Sequence, residues 1–89
     1  MRIRKRVIYG GQVQGVGFRA TCQLIVARHD TAGTVRNLSD GRVELVLEGD
    51  PDEVREILEE LSERMQSHIR GVSVEDEPLR GERGFRIIH

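Results

Sequence analysis

Two helical stripes of apolar residues, each placed between runs of β-forming residues, most constrain how this chain can fold. The first stripe has i, i+4, i+7, i+8, i+11 spacing and comprises Phe18, Cys22, Ile25, Val26 and His29. The second has i, i+3, i+4, i+7, i+11 spacing and comprises Val54, Ile57, Leu58, Leu61 and Met65. Since each helix has a single apolar face to bury, we expect both to pack against a sheet.

The start of the second helix is the most clearly specified boundary in the sequence. Asp50 is a good N-cap, and Pro51 suits the first helical position. Glu53 follows Asp50 by three residues, which predicts a capping-box partner.

The remaining β-rich runs set the topology. We predict extended segments at 3–9 with 12–14, 34–38, 43–48, 69–74 and 85–88, and Asp40-Gly41 predicts a hairpin turn between the second and third of them. The order is therefore βαββαβ with a short extra C-terminal strand. Right-handed crossovers bring both helices to one face, so the expected fold is a ferredoxin-like α/β (α+β) sandwich with an antiparallel-rich mixed sheet.

Length and composition narrow the functional classes. Eighty-nine residues suit one domain, expected to span 1–89. The one cysteine, Cys22, excludes an internal disulfide, and no cysteine-histidine cluster has zinc spacing, so we expect neither a metal nor another cofactor. No apolar run is long enough to cross a membrane, and the N-terminus lacks a signal-peptide core. We expect a cytoplasmic monomer without a membrane or nucleic-acid partner.

The net charge of −1 hides an asymmetry between the two halves of the chain. Residues 1–47 carry +5, and residues 48–89 carry −6. The basic half suggests an anionic ligand, while the acidic half argues against a broad nucleic-acid surface. A solvated acidic helix explains the second half equally well.

The segment between the first strand and the first helix carries the strongest chemical signal. Gly15 and Gly17 allow positive φ angles and a close backbone approach, so successive N–H groups can point at one anion beside a helix N-terminus. Arg19 follows in the first helical turn, and its guanidinium can hold two phosphate oxygens. A Walker A loop and a dinucleotide fingerprint are both absent. The alternative is an ordinary glycine turn with Arg19 in a surface ion pair.

Two segments closely resemble the signature motifs of the acylphosphatase family. They are GQVQGVGFR at 11–19 and GTVRNLSDGRVE at 33–44, in the family's order and spacing. The resemblance continues through Glu48-Gly49, the second helix and Phe85-Arg86-Ile87, and so covers nearly the whole chain. The sequence departs from the family pattern at His29-Asp30-Thr31, Thr34 and Tyr9-Gly10.

The resemblance implies metal-independent hydrolysis of the carboxyl-phosphate bond in small acyl phosphates, giving a carboxylate and inorganic phosphate. Arg19 matches the family's phosphate-binding arginine, and Asn37 matches the asparagine that orients the attacking water. The backbone amides expected to complete the phosphate site are those of Gln14, Gly15, Val16 and Gly17. The residues alone favour the simpler interpretation that Asn37 is a strand-end or turn residue before Asp40-Gly41.

Other reactive residues have simpler explanations. Cys22 lies on the apolar stripe and is expected to be an inert core thiol, and none of the histidines has the spacing of a metal site. Arg2, Arg4, Lys5 and Arg6 are expected to solubilise a strand end. The alternative functions are a non-catalytic ferredoxin-like module that binds an anion or RNA, and a domain of a larger carbamoyl-phosphate-processing protein.

Overall fold

The computed structural model describes residues 1–89 and confirms the predicted order of elements. The strands are β1 (Ile3–Gly11), β2 (Thr31–Asn37), β3 (Val43–Gly49), β4 (Ile69–Glu77) and β5 (Phe85–Ile87). The helices are α1 (Phe18–Val26) and α2 (Pro51–Met65). Neither helix is long and apolar enough to cross a membrane.

The five strands form one mixed sheet in the order β4-β1-β3-β2-β5. β1 pairs antiparallel with both β3 and β4, and β2 pairs antiparallel with β3. β5 joins β2 in parallel, with Gly33 opposite Phe85. β1 therefore lies between β3 and β4, and β4 and β5 form the two edges.

Both apolar helix stripes pack against one face of the sheet. Each helix is amphipathic. Packing its apolar stripe on the sheet removes that surface from water, while the charged face of the helix stays solvated. The core combines alternating inward residues of β1, β2 and β3 with the two helix stripes; its fully buried members include Val7, Val35, Leu45, Leu47, Ile25, Ile57 and Leu61. Leu58, at the margin of the second stripe, is only partly buried.

The opposite face of the sheet is covered by ion pairs rather than by helices. Arg4 is only 6% exposed and contacts Glu77 at 3.0 Å and Glu82 at 3.3 Å. Glu44 accepts hydrogen bonds from both Arg6 and Arg36. Arg4 and Arg6 are thus bound into the sheet surface, which differs from the expected solubilising role.

Several element boundaries and one capping contact differ from the sequence prediction. β4 extends to Glu77 rather than ending at residue 74. Residues 12–14 lie outside β1, because the chain leaves the sheet at Gly11, where the pairing with β4 is irregular. β2 begins at Thr31, since Thr31, Ala32 and Gly33 complete the pairing with the end of β3. Glu53 does not serve as a capping-box partner in this structure; its carboxylate contacts the His29 ring and accepts from the Asp30 amide. Asp50 caps α2 by accepting from the Asp52 amide at 2.9 Å.

Candidate active site

The chain turns from β1 into α1 through residues 12–17, and two glycines shape this turn. Gly15 has φ 77° and Gly17 has φ 80°, in the left-handed region that side chains with a Cβ rarely adopt. Gly17 is the N-cap of α1, and no side chain caps the helix. The first helical hydrogen bond runs from the Thr21 amide to the Gly17 carbonyl at 2.9 Å. The N-terminus of α1 therefore keeps its free amides and its positive dipole end.

The backbone amides of this loop have no acceptor within the chain. None of the N–H groups of Gln14, Gly15, Val16 and Gly17 takes part in a backbone or side-chain hydrogen bond. Four successive unbonded donors next to a helix N-terminus have the composition of an anion-binding nest.

Arg19 lies in the first turn of α1, and it is partly buried. It forms no ion pair and no hydrogen bond, unlike Arg4, Arg6 and Arg36, each of which is paired with a carboxylate. The expected alternative, a surface ion pair of Arg19, is absent. Its guanidinium retains its full capacity to bind an anion.

Asn37 is the last residue of β2 and lines the same cleft as Arg19. The cleft has a volume of about 440 Å³, and Gly15 and Gly17 also line it. The side-chain oxygen Oδ1 of Asn37 is buried and has no hydrogen-bond partner. A buried unpartnered acceptor is costly, which makes this oxygen a position for a ligand or a bound water.

The Gln14 side chain connects the loop to the β2–β3 turn. Its amide nitrogen donates to the Leu38 carbonyl at 2.8 Å and to the Arg42 carbonyl at 3.0 Å. The Leu38 amide in turn donates to the Arg42 carbonyl at 2.8 Å, which closes the turn. Gln14 thus fixes the loop next to the residue that follows Asn37.

Comparison with known proteins shows the family of this chain. The acylphosphatase family model matches residues 5–87. The chain belongs to the acylphosphatase family. It is 43% identical over 86 residues to the acylphosphatase of Pseudomonas paraeruginosa, covering 94% of this chain and 93% of that protein. It is 38% identical over 87 residues to the acylphosphatase of Bacillus velezensis, covering 96% and 97% of the two chains.

Solved structures of acylphosphatases have the same fold. The crystal structure of acylphosphatase from Bacillus subtilis superposes with a TM-score of 0.88 at 31% identity, covering 98% of this chain and 99% of that one. The acylphosphatase from Coxiella burnetii superposes with a TM-score of 0.87 at 32% identity, covering 98% and 93%. The resemblance seen in two short motifs thus extends through the whole acylphosphatase fold.

β5 and the residues after it also reach the cleft, which the sequence did not predict. Ile87 and His89 line the cleft together with Arg19 and Asn37. β5 brings them there, because it pairs in parallel with β2 and so runs toward the same end of the sheet as Asn37. The apolar run 85–88 indicated a strand, but nothing local to it indicated which strand it joins.

A pair of buried aromatic rings connects β1 to the start of α1. The rings of Tyr9 and Phe18 lie with centroids 5.0 Å apart, and both are buried. Cys22 is buried one turn further along α1, and burial raises the pKa of its thiol to about 12. Cys22 is accordingly an inert core residue.

One further cluster could offer metal ligands, but it lies outside the cleft. His29, Glu53 and Glu56 hold ligand atoms within 4.8 Å of one another. The hydrogen bond to the His29 ring and the bond from the Asp30 amide lower the pKa of Glu53. These contacts give the cluster a structural role, because they connect the turn after α1 to the first turn of α2.

Proposed function

We propose that this chain hydrolyses acyl phosphates without a metal ion, with the phosphoryl group held by the amides of residues 14–17 and by Arg19. The observation that carries the proposal is the convergence on one cleft of unbonded donors and one unbonded acceptor. The donors are Arg19 and the unbonded amides of the loop whose Gly15 and Gly17 line the cleft, and the acceptor is Oδ1 of Asn37. Membership of the acylphosphatase family supports the same substrate class.

The proposed role of the donors follows from the charge of the reacting group. In a loose phosphoryl-transfer transition state, negative charge spreads over the equatorial oxygens, and catalysis consists mainly of positioning and electrostatic stabilisation. Fixed amides and a partly buried guanidinium provide both without reorganising during the reaction. Arg19 has no competing carboxylate, so its planar donors are available to two phosphate oxygens.

The proposed role of Asn37 is to orient the nucleophile. Its Oδ1 can accept a hydrogen from a water molecule and turn the water oxygen toward phosphorus. A neutral acceptor suits this position, since a carboxylate would repel the phosphate. The water oxygen forms the new P–O bond, the P–O bond to the acyl group breaks, and the electron pair leaves on the carboxylate. The water proton passes to solvent or to the phosphate product.

The residues lining the cleft support metal-independent chemistry. None of them is Asp or Glu, the hard oxygen ligands that Mg²⁺ requires. The leaving carboxylate is a weak base, so the reaction needs little help from a general acid. We therefore propose that Arg19 supplies the positive charge that a metal ion would otherwise provide.

We further propose that one chain is a complete catalytic unit and that it works as a cytoplasmic monomer. Gly15, Gly17, Arg19 and Asn37 line one cleft of one chain, and Gln14 and Val16 belong to the same loop. Nucleic acid is not the proposed partner, because Tyr9 and Phe18 are buried and cannot stack on bases.

The experiment is steady-state hydrolysis of benzoyl phosphate by the full chain in the presence of a chelator. We expect the wild type to be active and both Arg19→Ala and Asn37→Ala to lose activity by about 100-fold or more. Arg83→Ala is the matched control, because Arg83 is exposed, has no ion pair and lies outside the cleft. A folded Arg19→Ala variant with wild-type activity would contradict the proposal. Phosphate binding without hydrolysis would instead favour an anion-binding module.

A further inference from the structure

The chain after β5 lies beside the end of β2. β5 pairs in parallel with β2, and Ile87 lies opposite Val35. The Ile88 amide continues this pairing, because it donates to the Val35 carbonyl at 2.9 Å. Asn37 and His89 follow Val35 and Ile87 by two residues each, and side chains alternate between the faces of a sheet. His89 therefore shares a face and an end of the sheet with Asn37, and both residues line the cleft.

The imidazole of His89 has no partner within the chain. His89 is exposed, and its ring forms neither a hydrogen bond nor an ion pair. His29, in contrast, is partly buried and contacts the carboxylate of Glu53. The ring nitrogens of His89 are therefore available to a ligand in the cleft.

The charged groups around His89 leave it without a counter-ion in the cleft. Arg19 is the one charged residue of α1, and it lines the cleft. The one charged residue of β2 is Arg36, and that of β5 is Arg86. Strand alternation places both on the opposite face of the sheet, where Arg36 pairs with a carboxylate of β3. The loop 12–17 has no charged side chain, and no Asp or Glu lines the cleft.

We propose that His89 is a further binding residue for the phosphoryl oxygens of the substrate, and that it adds a positive charge to the cleft only when it is protonated. This inference rests on the proposed function, which assigns an oxyanion to the cleft. Arg19 and the loop amides donate at every pH in the working range, whereas a histidine side chain gains its charge between about pH 8 and pH 5. The cleft thus combines donors that are independent of pH with one that depends on it.

Protonation of His89 strengthens binding of an oxyanion, because a second cation then faces the anion beside Arg19. Water screens this attraction, since His89 is exposed. We therefore expect the dissociation constant of a doubly charged oxyanion to fall by roughly 3- to 10-fold between about pH 8 and about pH 5.5. The effect lies on binding of the phosphoryl group and not on the bond that breaks.

Sulfate is the probe for this inference, because it stays a dianion over the whole pH range, whereas inorganic phosphate changes its charge. Its dissociation constant is measured by calorimetric titration of the full chain at constant ionic strength, at about pH 5.5 and about pH 8. We expect the wild type to bind sulfate more tightly at the lower pH. The His89→Gln variant is expected to bind with nearly equal dissociation constants at both pH values. His89→Lys keeps a positive charge throughout, so we expect it to bind tightly at both.

Two further variants assign the effect to this residue and to this cleft. His29→Gln is the matched control, because it makes the same substitution away from the cleft, and we expect it to keep the pH response of the wild type. Arg19→Ala is expected to lose sulfate binding, which places the bound sulfate in the cleft. Any carboxylate of the main chain at residue 89 is common to all four variants, so it does not contribute to the differences between them.

Three results would overturn the inference. The first is sulfate binding by the wild type that does not change with pH, and the second is an equal pH response in wild type and folded His89→Gln. The third is a wild type that binds no sulfate, which also counts against the phosphate site itself. Benzoyl phosphate hydrolysis tests the proposed function separately. An active enzyme whose sulfate binding does not depend on His89 retains the proposed function and excludes this role of His89.

Discussion

The side chain of Gln14 donates hydrogen bonds to the carbonyls of both Leu38 and Arg42, at 2.8 and 3.0 Å. Two segments that are distant in the sequence are thereby held at a fixed separation. The first carries the loop amides and leads into Arg19, and the second follows Asn37. This side chain therefore adds to the pairing of β1, β3 and β2 in fixing where the loop lies relative to Asn37.

Gln14→Ala is expected to lower kcat for benzoyl phosphate by roughly 10- to 100-fold, since small misplacements of catalytic groups have effects of this size. All loop amides remain in the variant, so we expect KM to change less than kcat. Gln14→Glu is expected to be worse, because a carboxylate cannot donate to either carbonyl and it repels the substrate. Equal KM and kcat effects in Gln14→Ala would argue against a positioning role.

The Arg19→Lys variant tests whether phosphate binding needs the planar donors of the guanidinium or only its positive charge. The lysine ammonium keeps the positive charge but cannot offer two parallel donors to phosphate oxygens. We expect kcat/KM to fall by roughly 100- to 1000-fold, comparable with the loss of one oxyanion-hole donor. Steady-state kinetics with the Arg83→Lys variant as control measures this loss. Near wild-type activity in Arg19→Lys would mean that charge alone suffices.

Asn37→Ala is expected to lose activity without losing stability. Oδ1 of Asn37 lies at the cleft and has no hydrogen-bond partner within the chain. The substitution therefore removes no hydrogen bond of this oxygen that holds the fold together. Urea unfolding of wild type and variant checks the prediction. A variant that is clearly less stable than the wild type would show that Asn37 serves the fold.

The prediction of fold from sequence succeeded where the signal was local. The two apolar stripes and the Asp40-Gly41 turn depend only on neighbouring residues, and the structure has both helices and the hairpin. The capping box failed at Glu53, because His29 and Asp30 from the turn between α1 and β2 approach its carboxylate. No short-range pattern around Glu53 indicates that approach.

Some residues of the candidate site were likewise predictable from local sequence patterns, and others were not. The glycines and Arg19 could be connected to an anion from their spacing alone, but Asn37 required the family resemblance, since its local pattern indicates a turn. The bonds of the Gln14 side chain and the position of His89 depend on how the loop, the hairpin and β5 meet. These contacts arise from the packed sheet, so the sequence alone did not predict them.

Glu48 is expected to make the stability of this protein sensitive to acid. It is fully buried and accepts from the Arg80 and Glu82 amides at 2.7 and 2.6 Å. Burial alone would raise the pKa of its carboxyl, but these bonds and the charges of Arg4 and Arg2 outweigh burial and lower the pKa from its ordinary value of 4.5.

A carboxyl group with a lowered folded-state pKa stabilises the fold above its unfolded pKa, and this contribution is lost as the pH falls through the folded-state value. We expect wild-type stability to fall below about pH 4.5 for this reason. Glu48→Gln is expected to lose about 1–3 kcal/mol at pH 7, because one amide lacks its acceptor, and to depend less on pH. Urea unfolding at about pH 3.5, 5 and 7 checks this. Parallel pH profiles of the two proteins would contradict it.

The unbonded donors of the 14–17 loop and of Arg19 have a consequence for how this protein behaves in solution. The folded chain contains polar groups that its own atoms leave unsatisfied, whereas an unfolded chain has no such arrangement. Any oxyanion that fits the loop therefore binds the folded form preferentially and raises the melting temperature by mass action. Inorganic phosphate, the product of the proposed reaction, is such an oxyanion. Phosphate is therefore expected to inhibit hydrolysis competitively and to stabilise the folded chain.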